Sequence, residues 1–311
     1  MTLPVIWSIQ GLTLTPDEKA FFKENPPVGF ILFDRNVKNP LQLKSLTNEL
    51  HTLGKVHILI DQEGGRVQRL WPPYWEGLPF ASTYGDWWEE SQKKALKGVQ
   101  RHAEKLAQML LEMGIDVDCW PCLDVRTPFV HPVIGKRLFS EDEIVVSELA
   151  NKAVQTMLQK GLMPVIKHIP GYGKTITDPH QELPVVKADL NALEEDFYPF
   201  LNANKKIWGM TAHVIYQALD KKNPATLSSK VISFIREEIG FEGPLLTDDI
   251  GMGALTGSVS ERTRKALDAG CDIVLHCSGN LSEMKEMAKV LSPLSKKTLK
   301  RLQTAEKEVA R

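Results

Sequence analysis

Residues 167–184 combine basic, acidic and imidazole side chains in a segment rich in glycine and proline. An apolar run over residues 163–166 ends in Lys167 and His168, and the loop that follows places Asp178 two residues before His180. An aspartate and a histidine at this spacing, on a loop beside a strand end, can deliver a general acid or base to a substrate. An isolated Asp-x-His also suits an ordinary surface loop, so its meaning depends on the rest of the chain.

Polar side chains follow six consecutive predicted strands, the second to the seventh. They are listed here in chain order: Asp34, Arg35 and Asn36; the run Asp61 to Arg69; Asp118 and Asp124; Lys167 and His168; His213; Asp248 and Asp249. The carboxyl ends of parallel strands meet on one face of a barrel, and barrel enzymes carry their chemistry there. The pattern therefore predicts one site built from six consecutive strand ends.

The strands themselves are predicted from short, β-branched apolar runs that alternate with longer amphipathic segments. These runs cover residues 5–9, 29–33, 57–60, 115–118, 164–166, 207–211, 244–247 and 272–275. Runs that are apolar throughout are typical of parallel strands buried on both faces. Eight strands alternating with helices predict an α/β fold, a (β/α)8 TIM-like barrel, in a single domain over residues 1–311. A doubly wound open sheet is the alternative, but no Gly-x-Gly-x-x-Gly follows the first strand.

Helices are predicted from apolar residues that recur every three or four positions. The predicted helical ranges are 43–53, 95–113, 142–160, 189–204, 228–239, 261–269 and 283–291, with a lysine-rich helix from Ser295. Four of these helices meet a glycine just before the next strand, at Gly114, Gly161, Gly240 and Gly270. Glycine is the residue preferred after a helix C-terminus.

The composition is that of an ordinary globular protein. Of its 311 residues, 42% are hydrophobic and 25% charged, and 38 basic residues nearly balance 39 acidic ones. This balance gives no indication of a nucleic-acid partner. Four cysteines, no apolar leader and no run of eighteen apolar residues predict a cytoplasmic protein without a membrane partner. Cys119 and Cys122 form a Cys-x-x-Cys without a second ligand pair nearby, so we interpret them as structural thiols.

The residue types narrow the chemistry. No Gly-x-Ser-x-Gly is present for a serine nucleophile, and no His-x-His follows an early strand as in metal-dependent amidohydrolases. Carboxylates together with arginine, lysine and histidine, without a cofactor fingerprint, fit carbohydrate recognition. Trp71, Trp75, Trp87 and Trp88 follow the third strand, where they can stack on a sugar or simply pack in the core. A metal-dependent hydrolase using His168, His180 and His213 stays open.

The motifs of this chain and their order along it resemble those of the family 3 glycoside hydrolases. Within that family they are most similar to the motifs of the bacterial β-N-acetylglucosaminidases that recycle peptidoglycan. The resemblance covers roughly residues 5–278. It rests on the segments at 29–36, 61–67, 121–125, 167–173 and 247–254, together with Asp178-x-His180.

By this resemblance, Asp248 is the catalytic nucleophile, His180 the general acid/base, and Asp178 its partner. The residues implied to hold the terminal N-acetylglucosamine are Asp61, Arg69, Arg137, Lys167 and His168. The implied activity is exo-acting and retaining and needs no cofactor. The implied substrates are small carbohydrates, N-acetylglucosaminyl-1,6-anhydro-N-acetylmuramyl peptides. A histidine suits the acid/base role because its ordinary pKa is about 6.5.

The chain departs from the family pattern at four positions. Ile169, Tyr172, Pro179 and Gly251 stand where Phe, His, Ser and Ser are usual. None of these changes removes a reacting group, but Pro179 restricts the backbone between Asp178 and His180. Two alternative hypotheses assign other functions to the same residues. One is a phosphorylase, in which phosphate replaces water, and the other is a non-catalytic sugar-binding barrel.

Overall fold

Eight parallel strands close into a barrel in a computed structural model that describes residues 1–128, 132–172, 174–175 and 183–309. The barrel strands are β1 (Leu3–Ser8), β2 (Pro27–Leu32), β3 (His57–Ile60), β4 (Val117–Asp118), β5 (Met163–Ile169), β7 (Trp208–Thr211), β9 (Leu245–Asp249) and β10 (Ile273–Leu275). Around the barrel they follow one another in chain order, and β10 pairs with β1 to close it. The predicted (β/α)8 barrel and all eight predicted strands are confirmed.

The strands are apolar because the barrel buries both of their faces. All six residues of β2 and all seven of β5 are buried, including Lys167 and His168 at the end of β5. The register between β2 and β3 requires a glycine, because a Cβ at Gly29 would lie 2.4 Å from the His57 carbonyl oxygen. Close backbone approach thus fixes one barrel position in the sequence.

Helices cover the outside of the barrel. Those in the described part of the chain are α1 (Pro16–Glu24), α2 (Pro40–His51), α3 (Ser82–Glu90), α4 (Gln92–Glu112), α5 (Pro132–Gly135), α6 (Glu143–Gln159), α7 (Glu194–Leu201), α8 (Ser229–Glu237), α9 (Val259–Ala269), α10 (Leu281–Ala288) and α11 (Lys296–Glu306). Many begin at a side-chain cap, such as Asn39 before α2 and Asp142 before α6. Each such cap stabilises its helix by about 1 kcal/mol.

The sequence analysis missed several short elements. Helices α1, α3 and α5 were not predicted, and neither were the two-residue strands β6 (Val185–Val186) and β8 (Ile215–Tyr216), which pair with each other outside the barrel. Two residues are too few to show any periodicity. The helix predicted over residues 189–204 is divided into a 3-10 turn, Asn191–Leu193, and α7. Among the described residues, none of the helices has both the length and the apolar character needed to cross a bilayer.

Candidate active site

A pocket of about 190 Å³ opens at the carboxyl ends of the barrel strands. Its described lining residues come from all around the barrel: Ile31, Asp61, Arg66, Val67, Arg69, Ile134, Arg137, Lys167, His168, Tyr172, Met210, Asp248, Met252, Leu275 and Cys277. Six of the eight residues predicted for the site are in this set. The other two, Asp178 and His180, lie outside the described residues.

The floor of the pocket is a network of ion pairs between segments far apart in the sequence. Lys167 Nζ lies 3.0 Å from Asp61 Oδ1 and 2.7 Å from Glu63 Oε1. Arg137 makes a bidentate pair with Glu63, with Nε 2.8 Å from Oε2 and Nη2 2.6 Å from Oε1. Arg69 Nη2 approaches Asp61 Oδ2 at 3.4 Å. The network orients the predicted sugar-binding residues before any ligand arrives, because each carboxylate is held by two cations.

Burial and charge compete in setting the pKa values of this network. Burial disfavours the ionised form of Glu63, but Arg137 and Lys167 outweigh it and hold the pKa of the carboxyl well below its usual range. At Asp61 burial is likewise outweighed by Lys167 and Arg69, and the pKa is lowered. Burial also opposes the charge on Lys167, yet Asp61 and Glu63 raise its pKa well above the usual value. All three groups are therefore charged at neutral pH.

Glu63 belongs to the ion-pair network beneath the pocket but was not among the predicted site residues. It lies within the segment 61–67 used for the resemblance, two residues after Asp61, and its side chain is only 3% exposed. The neighbouring Gln62 has a structural role instead, because its Oε1 accepts hydrogen bonds from the backbone N–H groups of Arg69 and Leu70. A buried carboxylate must find cationic partners. The signal available from sequence was the Asp-x-Glu spacing, which places two carboxylates at one strand end.

Asp248 and Asp249 end β9, but their carboxylates have different surroundings. Asp248 lines the pocket and is half-buried, and its Oδ1 accepts the Asp249 N–H at 2.8 Å. Burial opposes its ionisation, but His213, His168, that N–H and Lys167 together lower the pKa of the carboxyl. Asp249 Oδ1 instead accepts the backbone N–H groups of Gly251 and Cys277, at 3.0 and 3.1 Å. The geometry therefore presents Asp248 to the pocket and uses Asp249 to hold loops together.

His213 supports the same strand end through its ring nitrogens. Nε2 lies 2.9 Å from the Asp249 carbonyl oxygen, which can only accept, so Nε2 carries a proton. Nδ1 lies 2.8 Å from Thr226 Oγ1, and Thr226 Oγ1 lies 2.9 Å from Thr211 Oγ1. Burial lowers the pKa of His213, against the opposing effects of Asp248 and of the hydrogen bond to the Asp249 carbonyl. With both nitrogens engaged inside the protein, His213 does not fit the three-histidine metal site left open above.

His168 is oriented by Asp124. Its Nδ1 lies 2.7 Å from Asp124 Oδ2, while Asp124 Oδ1 accepts the backbone N–H groups of His168 and Tyr172. Ligand atoms of Cys122, Asp124 and His168 all fall within 4.8 Å of one another. Arg137 Nη2 is 3.7 Å from the Cys122 sulfur, however, and the carboxylate already accepts three N–H groups. These contacts favour a structural role for the cluster, because a nearby cation and a saturated carboxylate both disfavour metal binding.

The tryptophans after β3 have packing roles where the structure shows their contacts. Trp87 packs edge-on against Tyr84 with ring centroids 5.5 Å apart, and Trp75 and Trp88 pack partly buried against the core. Trp71 is 41% exposed. The described lining of the pocket contains none of these four residues. Sugar stacking by them stays an untested expectation, and core packing is what the contacts favour.

Comparison with known proteins gives the family. Residues 8–311 match the model of the glycosyl hydrolase family 3 N terminal domain. The β-hexosaminidase of Alkalilimnicola ehrlichii is 38% identical over 283 residues, which cover 88% of this chain and 80% of that protein. The β-hexosaminidase of Aromatoleum aromaticum is 36% identical, covering 88% and 79% respectively.

The architecture agrees with a solved structure of the same family. The crystal structure of native NagZ from Neisseria gonorrhoeae has a TM-score of 0.91 to this chain at 32% identity, covering 99% of this chain and 91% of that one. A second structure of that protein, with equal similarity, is a complex with N-trifluoroacetyl-D-glucosamine. The chain therefore belongs to glycosyl hydrolase family 3, is a glycosidase, and within that family resembles the bacterial β-N-acetylglucosaminidases.

Proposed function

We propose that this chain is an exo-acting, retaining β-N-acetylglucosaminidase that removes terminal N-acetylglucosamine from peptidoglycan-derived muropeptides. The observation that carries the proposal is that Asp248 lines the same pocket as Asp61, Lys167 and Arg137. The pocket has a volume of about 190 Å³ and is lined by residues from strand ends around the barrel, and a concave site of this kind favours binding of the end of a sugar chain. The named relatives and the N-acylglucosamine complex support the choice of sugar.

In the proposed binding mode, the charged floor holds the terminal sugar. Asp61 accepts hydrogen bonds from sugar hydroxyls, and Arg69, Arg137, Lys167 and His168 donate to sugar oxygens. Such charge-assisted hydrogen bonds are stronger than neutral ones and fix the orientation of the ring. Since the floor groups are already paired with one another, little reorganisation accompanies binding.

In the proposed reaction, Asp248 attacks the anomeric carbon while His180 protonates the leaving oxygen. The glycosyl–Asp248 ester is then hydrolysed by a water molecule from which His180 removes a proton. Asp178 would fix the His180 tautomer and favour its protonated form. The roles of His180 and Asp178 rest on the sequence resemblance, and the role of Asp248 rests also on its place in the pocket. The proposed location is the cytoplasm, in keeping with four free cysteines.

Hydrolysis of p-nitrophenyl β-N-acetylglucosaminide, measured beside the β-glucoside and the β-xyloside, tests the proposal. We expect a strong preference for the N-acetylglucosaminide and, by NMR, the β-anomer of N-acetylglucosamine as first product. A mechanism-based fluorinated donor should label Asp248, as found by peptide mapping. No turnover, an α-anomer product, or sugar 1-phosphate as the main product in phosphate buffer would each reject this function, the last in favour of a phosphorylase.

A further inference from the structure

Arg66 is the exception among the cations that line the pocket. Lys167, Arg137 and Arg69 all pair with carboxylates, and His168 pairs with Asp124. Among the residues that the structure describes, Arg66 makes no ion pair or hydrogen bond through its guanidinium, and its side chain is exposed. An unpaired cation beside an otherwise balanced pocket raises the local potential and attracts an anionic group.

The backbone holds Arg66 in a rigid turn. Gly64 and Val67 exchange backbone hydrogen bonds, both at 3.2 Å, so that Gly65 and Arg66 form the tip of the turn. The Gly65 N–H donates to the Leu78 carbonyl at 2.7 Å, and Gln68 Nε2 donates to the Gly65 carbonyl at 2.6 Å.

Packing restrains the turn further. Gly65 has φ near +60°, and a Cβ there would lie 2.1 Å from the Phe80 ring. A side chain on so constrained a backbone is presented at a fixed place, and it loses little backbone entropy when a ligand binds.

Exposure orders the pocket residues from floor to mouth. The Lys167 side chain is 3% exposed, that of Arg137 13%, that of Asp61 18% and that of Arg69 20%, whereas Arg66 is exposed to solvent. In an enzyme that takes one sugar unit into a pocket, the floor holds that unit and the mouth meets the leaving group. Arg66 therefore lies where the aglycone is expected.

We propose that Arg66 is a specificity-determining residue that binds a free carboxylate of the aglycone, such as the lactyl carboxylate of an N-acetylmuramic acid unit that carries no peptide. This inference rests on the proposed exo-glycosidase function. It adds where the aglycone binds and that the aglycone carries a negative charge. Guanidinium is the side chain best suited to a carboxylate because it can donate two parallel hydrogen bonds. The cations of the floor already face carboxylates, which weakens their attraction for an acidic leaving group.

Three disaccharides that share the same scissile linkage test the proposal. They are N-acetylglucosaminyl-β-1,4-N-acetylmuramic acid, its lactyl methyl ester, and N,N′-diacetylchitobiose. In the wild type we expect kcat/KM for the acid to exceed that for the ester by roughly two- to fivefold, as for an exposed charged pair. Added NaCl should reduce this ratio through screening. In Arg66→Gln the ratio should fall to near one, and Arg66→Lys should retain part of it.

The controls separate this inference from the proposed function. Arg101→Gln removes an exposed arginine from the outer helix α4 and should leave every ratio unchanged. Cleavage of diacetylchitobiose by Arg66→Gln at any measurable rate shows that the variant is folded and active, and the acid-to-ester ratio then tests the inference. An acid-to-ester ratio that persists in Arg66→Gln would overturn the inference while leaving the glycosidase intact. Phosphate-dependent release of sugar 1-phosphate that needs Arg66 would also overturn it. A wild type inactive on all three would reject the function itself.

Discussion

The Nε2 atom of His213 lies 2.9 Å from the carbonyl oxygen of Asp249, the residue that follows the proposed nucleophile. This hydrogen bond connects the loop after β7 to the end of β9. On the other side of the ring, His213 Nδ1 is hydrogen-bonded to Thr226 Oγ1. The backbone at Asp248 is therefore supported both by strand β9 itself and by a hydrogen bond from the loop after the neighbouring strand β7. A carboxylate that must approach an anomeric carbon along one line benefits from such support.

Replacing His213 should therefore affect turnover more than binding. For His213→Phe, which lacks the donor, we expect kcat to fall about fivefold with KM nearly unchanged, since one neutral hydrogen bond contributes about 1 kcal/mol. His213→Gln can still donate to the carbonyl and should recover most of the rate. Steady-state kinetics on an aryl N-acetylglucosaminide measure both. Equal rates for the two variants would show that the hydrogen bond does not position Asp248.

The two aspartates at the end of β9 should differ sharply in their response to amidation. Asp248→Asn should lower kcat by several orders of magnitude because an amide is a poor nucleophile. Asp249→Asn should stay within about fivefold of wild type, because Asn Oδ1 can still accept the N–H groups of Gly251 and Cys277. The same assay serves both variants. Abolished turnover in Asp249→Asn alone would exchange the two roles.

Arg137 should matter for stability as well as for substrate binding. Arg137→Ala leaves Glu63 buried with Lys167 as its one remaining cation in the described network, and we expect a loss of about 2–3 kcal/mol in the free energy of unfolding. Arg69→Ala is the matched control. Its partner Asp61 keeps Lys167 and is 18% exposed, so the loss should stay below about 1 kcal/mol. Urea unfolding measures both, and KM should rise in both. Equal stability of the two variants would contradict the network described here.

His180 should be needed most for substrates with poor leaving groups. His180→Ala should lose about 10²–10⁴-fold in kcat on a natural disaccharide and much less on an activated aryl glycoside, whose phenolate leaves with little protonation. Asp178→Ala should show a weaker form of the same contrast. Glu182→Gln is the control because Glu182 is the other acid of this loop, and it should behave as wild type. A leaving-group effect in Glu182→Gln, absent from His180→Ala, would move the acid to Glu182.

A histidine far from the pocket should make stability depend on pH. Burial opposes protonation of His57, but its hydrogen bond to Asp116 and the nearby Glu306 carboxylate outweigh burial and raise its pKa to about 9. The unfolded value is about 6.5, so this stabilisation is fully present below pH 6.5 and is lost as pH rises through 9. We expect wild type to lose about 1–2 kcal/mol over that window relative to His57→Gln, a figure reduced for solvent screening. Urea unfolding at pH 6 and pH 10 measures this difference, and parallel curves would refute it.

The sequence by itself determined the barrel and the place of its chemistry. Eight apolar runs alternating with helical periodicity admit few folds, and a parallel barrel puts every strand's carboxyl end on one face. Lys167, Asp61 and Asp248 were predicted from this rule and meet in one pocket. Each strand can be recognised from its own segment, because a strand buried on both faces must be apolar along its whole length.

Only the tertiary structure decided which charged side chains pair with one another. Lys167 and Glu63 meet across β3 and β5, and the distance between them is set by barrel closure and register, which no local pattern encodes. The same holds for His213, whose ring nitrogens turn out to serve Thr226 and Asp249. It holds also for Arg66, because the absence of an ion-pair partner among the residues that the structure describes depends on how all of those around the pocket are arranged. Residue types indicate which groups can react, but pairing depends on distances between strands that are neighbours only after folding.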